Sequence, residues 1–364
     1  MTLKLKKYLQ TLFKNFSYGI FHLIYGKVKS NNELSKNNPN ISRELIDMGD
    51  NRIYSVFKLK KSRLYTDRIH STSVINDNTL ITDASFQIKG KYFFTEENTV
   101  LKNGTPRLLK KINGDVLSLL AGGGSNKNYW HWLFDVLPRI ELFNKTIKTE
   151  YSDYLLVPDL SEKFQKETLN LLNFENKKIL SSRVFRHIQP RKLFVTQHPY
   201  IIRDIAKDEL NIPRWIINWL RSKFLNKINK NNSFPKKIFI DRADSPFKTR
   251  SIINENEVKK FLISKNFVPI RLSDLKFVDQ VNLFNNVNNV VGLHGGGFAN
   301  IIFSNPGVKV TEIRTLDTGK VIENLATSHK LNFEKIEIRP SNKNATDQQG
   351  HVEVNIDELD SKIN

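Results

Sequence analysis

The chain has 364 residues, enough for two domain cores, and 39% hydrophobic content with 24 Phe excludes a disordered protein. It has no cysteine, which excludes disulfides, thiolate metal sites and a thiol nucleophile and makes a reducing compartment its simplest home. With 57 Lys+Arg against 37 Asp+Glu the net charge is +20, which suits nucleic acid, anionic lipid or phosphorylated substrates without choosing among them.

The N-terminal segment, MTLKLKKYLQTLFKNFSYGIFHLIYGKVK, spaces Leu5, Leu9, Leu12, Phe13 and Phe16 helically among lysines. That pattern describes a basic amphipathic helix that lies on an anionic membrane surface or packs on the body of the protein. Its most apolar part, Tyr18 to Tyr25, contains His22 and is far shorter than the ~20 residues that span a bilayer, and it does not read as a secretory signal. SNNELSKNNPN, residues 30–40, is a polar linker. From 41 to 112 the pattern predicts short strands, with turns at Asn76-Asp77-Asn78, Asn103-Gly104 and Asn113-Gly114.

Alternating strands and helices follow. Strands are expected at 116–120, 154–157 and 192–196, and helices at 129–143 and 162–172, with a glycine turn at Gly122-Gly123-Gly124. Residues 197–212 read as an interdomain connection, and Pro213 opens the helix RWIINWLRSKFLNKI. A second series predicts strands at 237–240, 267–270, 289–292, 308–313 and 332–338, with helices at 255–264, 277–287, 298–303 and 319–329 between them. The expected organisation is a leader over 1–40, an acceptor-side α/β domain over 41–212 and a second Rossmann-like domain over 213–340. A tail over 341–364 would pack back on the first domain.

Two segments carry chemistry. In VVGLHGGGFAN a strand ends at Gly292, and His294 precedes Gly295, Gly296 and Gly297 at the start of a helix. Glycines let backbone N–H groups approach an anion, and a helix start adds unpaired donors and partial positive charge. The spacing matches neither G-x-G-x-x-G nor the Walker P-loop. Arg242, Lys248 and Arg250 follow the strand at 237–240 and suit diphosphate oxygens, though a plain basic loop has the same composition. Asn300 and Ser304 lie on the first turns of the cradle helix, and Glu312 ends the next strand, where a carboxylate accepts from ribose hydroxyls.

The other segment, NYWHWLFDVLPRI, places His131 and Asp135 four residues apart on one helical face. A carboxylate-oriented histidine is a general base near neutral pH, while a buried pair that merely satisfies itself shows the same spacing. Arg139 continues the stripe past Pro138. Neither a metal-ligand cluster nor a G-x-S-x-G elbow is visible.

NYWHWLFDVLPRI, YLLVP, FQKETLNLLNF, KKIFIDRAD with KTRSIINENEV, and VVGLHGGGFANIIFSNPGVKVTEI occur in this order, and together resemble the family-61 glycosyltransferases of the capsular polysaccharide biosynthesis type. The similarity covers roughly 115–340 and extends to VEVNIDEL at 352–359. It implies an α/β GT-B architecture, two Rossmann-like domains with parallel sheets facing across a cleft. It also implies inverting transfer from a UDP-sugar to a hydroxyl of a growing surface glycan or lipid-linked glycan, without a required cofactor or divalent metal. Carried over by position, Arg242, Lys248, Arg250, His294, Gly295, Gly296, Gly297, Asn300 and Glu312 fall in donor-binding segments, and His131 and Asp135 in the acceptor-side motif. Either of the latter two serves as base. Members often read G-x-H-G-A-G-L-A-N where this chain has Gly296 for Ala and Phe298 for Leu. The resulting expectation is a cytoplasmic enzyme of cell-envelope synthesis, peripheral on the inner membrane face. The alternatives are a non-catalytic basic polyanion-binding protein, for which no nucleic-acid motif is present, and an oxidoreductase, which lacks its fingerprint.

Overall fold

The computed structural model describes residues 3–30, 38–90, 92–94, 97–148, 151–202, 204–229, 233–243, 249–341 and 348–364. The chain divides into two compact units, one of Met1–Glu162 with Glu175–Ile205 and the other of Lys163–Phe174 with Ala206–Asn364.

In the first unit, strand Lys110–Ser118 pairs in parallel with His187–Thr196 on one side and Tyr154–Val157 on the other, and the latter pairs in parallel with Lys178–Ser181. That part fulfils the α/β expectation. The sheet does not stop there, however, because His187–Thr196 also pairs antiparallel with Ile53–Lys60 and Ser62–Thr66. Among the described residues it is a twelve-stranded mixed sheet, so the expectation of an all-parallel sheet in this unit is corrected. The strands of 41–94 extend it because their buried faces join the same core, where Phe57, Leu59, Leu64 and Val74 pack with Val116, Leu156 and Leu193.

The predicted turn at Asp77-Asn78 is present, both residues having the left-handed φ that a two-residue hairpin turn requires, 45° and 57°. The turn predicted at Asn113-Gly114 is not. These residues lie inside strand Lys110–Ser118, where a Cβ on Gly114 would come within 2.6 Å of the Tyr154 ring.

The helix predicted over 129–143 is interrupted. It runs as Tyr129–His131, a π-helical turn Trp132–Val136, and Pro138–Asn144. Pro138 has no N–H to donate, and the ladder widens before it, with Leu137 N bonding Trp132 O at 3.1 Å. Asn128 caps the start by accepting from Trp130 N at 2.9 Å.

The second unit holds a five-stranded parallel sheet of Lys237–Asp241, Val268–Arg271, Asn289–Leu293, Lys309–Thr315 and Asn332–Ile338. In chain order the strands lie second, first, third, fourth, fifth. The apolar, buried runs of Lys237–Asp241 and Asn289–Leu293 suit the inner strands of a sheet covered by helices. The segment predicted as a helix from 298 is a 3₁₀ turn series, Gly296–Phe303, whose first bond joins Phe298 N to Gly295 O.

Two assignments to the first domain are corrected. Helix Lys163–Leu171 belongs to the second unit, where Glu167 accepts from the backbone N–H of Phe277 (2.7 Å) at the positive end of helix Phe277–Asn286. The tail likewise packs on the second unit. Strand Gly350–Val352 pairs with Arg250–Ile252, and Leu359 and Ile363, the buried face of the terminal helix, enter the core with Phe239 and Val291.

Candidate functional site

In the second unit, strands Lys237–Asp241 and Asn289–Leu293 are neighbours, with Ile240 opposite Gly292. They are the first and third strands in chain order, so the strand order reverses between them while all strands stay parallel. Beyond the carboxyl ends of such a pair the two connections diverge and leave a crevice, the usual ligand site of an open parallel sheet. Arg242 immediately follows the first of these strands, and His294 with its three glycines follows the other.

Arg242 and Arg250 both aim at this loop. Each donates to the carbonyl of His294, Arg250 at 3.3 Å. Burial pulls the Arg250 guanidinium below its ordinary pKa, partly offset by the charge of Glu312. Gly295, Gly296 and Gly297 remain partly exposed, leaving their backbone within reach of a ligand. A Cβ on Gly295 would collide with the Arg242 guanidinium, 2.8 Å from Cζ and closer still to Nη1, and one on Gly297 would stand 2.9 Å from Leu272 Cδ1. Lys248 lies outside the described residues.

His294 is buried. Its Nδ1 bonds Glu312, and its Nε2 lies 2.6 Å from Gln348 Oε1. Glu312 is fully buried, and its second oxygen accepts from Arg314 Nη1 at 3.2 Å. Arg314 also donates to Glu323 (3.1 Å) and Glu337 (2.8 Å). Burial opposes the Arg314 charge, but the Glu337 hydrogen bond and the charges of Glu312 and Glu337 outweigh it and raise the pKa. Glu312 therefore positions the His294 ring; it has no exposed surface, and each of its oxygens accepts a hydrogen bond within the unit, where the sequence led us to expect a ribose contact. Asn300, also expected at the donor, is likewise turned into its own unit. It is fully buried, and its Nδ2 donates to Gln280 Oε1 (3.1 Å) and Gly297 O (3.3 Å), tying the glycine loop to its own unit. Ser304 is also fully buried.

The first unit carries the other group. His131 Nδ1 lies 2.9 Å from Asp135 Oδ2, as the i,i+4 spacing requires, and the His131 side chain keeps 23% of its surface exposed against 4% for Asp135. Tyr200 donates its hydroxyl to Asp135 Oδ1, and His198 Nε2 stands 3.9 Å from Oδ2. Burial opposes the Asp135 charge. The charge and hydrogen bond of His131, joined by those of His198, outweigh that penalty and hold the carboxylate far below its usual range. Burial lowers the His198 pKa despite Asp135. Arg139 braces the helix from behind, its Nε donating to Asp135 O and its Nη1 to Thr196 O, both at 3.0 Å. Asp135 is thus a buried, weakly basic anchor, and His131 is the partly exposed end of the network.

Sequence reasoning missed Tyr200, His198, Arg314 and Gln348. Tyr200 and His198 follow the carboxyl end of a parallel strand, a signal that was present in VTQHPY. Arg314 and Glu312 stand two apart in VTEIRT, hence on one face of a buried strand. Nothing in the sequence points to Gln348. Among the described residues no group of three or more His, Asp or Glu side chains gathers as a metal site.

The sequence model of one family, described as Glycosyltransferase 61, matches residues 129–311, a stretch that contains His131, Asp135 and the glycine loop. Among solved structures, the iron-containing dodecameric glycosyltransferase TibC from enterotoxigenic E. coli H10407 is similar at 11% identity and a TM-score of 0.30, over 79% of this chain and 81% of that one. No curated protein matches the chain.

Proposed function

The chain belongs to the glycosyltransferase 61 family, and from that premise we propose that it is an inverting enzyme of GT-B type. It moves a sugar from a UDP-sugar to a hydroxyl of a growing surface glycan or lipid-linked glycan. In this reading the second unit binds the donor. The diphosphate meets the backbone N–H groups of Gly295 to Gly297 and the guanidinium groups of Arg242 and Arg250. The first unit supplies the base. Asp135 accepts from His131 Nδ1–H, which leaves Nε2 as the basic nitrogen. Nε2 takes the proton of the acceptor hydroxyl, whose oxygen bonds to the anomeric carbon as the bond from that carbon to the diphosphate breaks. The electron pair departs with UDP, where the loop amides and the two arginines stabilise it. Asp135 itself is a poor base because its carboxylate is buried, doubly bonded and held far down its titration range.

The observation that carries this reading is the convergence of Arg242, Arg250 and the His294 glycine loop at the point where the strand order reverses. Its test is a panel of UDP-sugars offered with and without glycan acceptors, following UDP release. One donor is expected to be consumed faster with acceptor, and its sugar to appear in a product of inverted anomeric configuration. Consumption of no donor, or a product of retained configuration, would refute it.

A further inference from the structure

Helix Leu3–Tyr25 presents two unlike faces. One is docked on its own unit. The Phe21 and Tyr25 rings stack at 6.0 Å, and Tyr25 meets the edge of His187 at 5.0 Å and accepts from Leu109 N at 2.8 Å. His22 Nε2 reaches Lys102 O at 3.3 Å. At 3.6 residues per turn the opposite side carries Leu5, Leu12, Phe13, Phe16, Ile20, Leu23 and Ile24, within an arc of about 120°. All seven are exposed, Phe13 by 73%, Phe16 by 69% and Leu23 by 88%. A docked helix that leaves a continuous apolar stripe in water is an unpartnered interface.

The charge around it selects the partner. Residues 1–40 carry seven lysines and one acidic residue, and Lys27 and Lys29 just beyond the helix are exposed. A second copy would bring the same positive charge against itself. Anionic lipid headgroups neutralise that charge, and the acyl boundary below them accepts the Phe and Leu side chains. No described helix is long and apolar enough to cross a membrane. The geometry therefore points to an anionic bilayer surface as the partner of this stripe, with the helix lying in the plane of the interface. The inference is independent of the glycosyl-transfer reading, because it uses neither the glycine loop nor the His131 network.

The test is co-sedimentation of the full chain with vesicles of phosphatidylcholine alone and of phosphatidylcholine mixed equally with phosphatidylglycerol. Binding is expected to be at least about tenfold tighter to the anionic vesicles and to weaken with salt. Replacing Phe13→Ser, Phe16→Ser and Leu23→Ser together is expected to cost about tenfold or more of that affinity with an unchanged unfolding midpoint. The control Ile253→Ser, at another exposed apolar residue, should leave binding intact. Because the chain has no cysteine, Leu23→Cys labelled with an environment-sensitive dye gives an independent readout, and its emission should shift to the blue only on anionic vesicles. Equal sedimentation of wild type and triple variant, an unshifted dye, or a wild-type dimer that the triple variant dissolves without any vesicle binding would each overturn the proposal.

Discussion

Replacing Gly295→Ala probes the proposed donor loop through a single steric contact. The residue has extended backbone, φ 163° and ψ 178°, so alanine meets no conformational penalty there. Its Cβ would stand 2.8 Å from Arg242 Cζ, a separation that real Cβ atoms do not show, and the guanidinium, being the free end of a flexible side chain, must swing away. The loop then loses the bond from Arg242 to the His294 carbonyl, and on the proposed reading the diphosphate loses an arginine held in place. A charge-assisted hydrogen bond contributes about 1.5–3 kcal/mol, so UDP affinity should fall roughly ten- to a hundredfold. The site is partly exposed, and global stability should move by only about 0.5 kcal/mol. Titration calorimetry with UDP on wild type, Gly295→Ala, Arg242→Ala and the double variant checks this. Because the added methyl acts through Arg242, the double variant should bind no more weakly than Arg242→Ala alone. Additive losses, or wild-type affinity in Gly295→Ala, would refute the reasoning.

Three further outcomes follow from buried polar groups. Tyr200→Phe removes the hydroxyl donated to buried Asp135 and should lower the unfolding free energy by about 2 kcal/mol in urea; an unchanged midpoint would show that the bond contributes nothing. Burial lowers the His187 pKa from 6.5 to about 4, outweighing its hydrogen bond to Arg107 O. The unfolded chain therefore takes up a proton that the folded chain refuses, and stability falls as pH drops from about 6.5 to about 4, by about 3 kcal/mol in all. His187→Phe should flatten that slope by one proton, and an identical slope would remove His187 as its source. Arg314→Leu leaves fully buried Glu312 without its cation and should cost about 3–5 kcal/mol, part of which Glu312→Gln in the same chain should restore by removing the charge. If the second change deepens the loss, the charge is not the cause.

The parallel sheet of the second unit was the most legible part of the chain. Its inner strands Lys237–Asp241 and Asn289–Leu293 carry continuous buried apolar runs, so local pattern alone locates both to within a residue. Partner choice is a different matter. That His187–Thr196 pairs antiparallel with Ile53–Lys60 depends on contacts more than a hundred residues apart, which no local period encodes. The same limit explains Glu312 and Asn300. Both residue types suit a ligand, but whether their polar atoms face a crevice or the core is decided by Arg314, His294 and Gln280, which arrive from elsewhere in the fold. The His131–Asp135 pair was readable because four residues of helix bring the two together. Tyr200 was not, because it reaches Asp135 from a segment that reads as a connection.

The most direct measurement is the turnover of His131→Ala with a donor that wild type consumes, taken alongside its UDP affinity. The base assignment requires kcat to fall by a factor of about 10² to 10⁴, as loss of a positioned general base does, while UDP binds as tightly as to wild type. Turnover near the wild-type rate would contradict it.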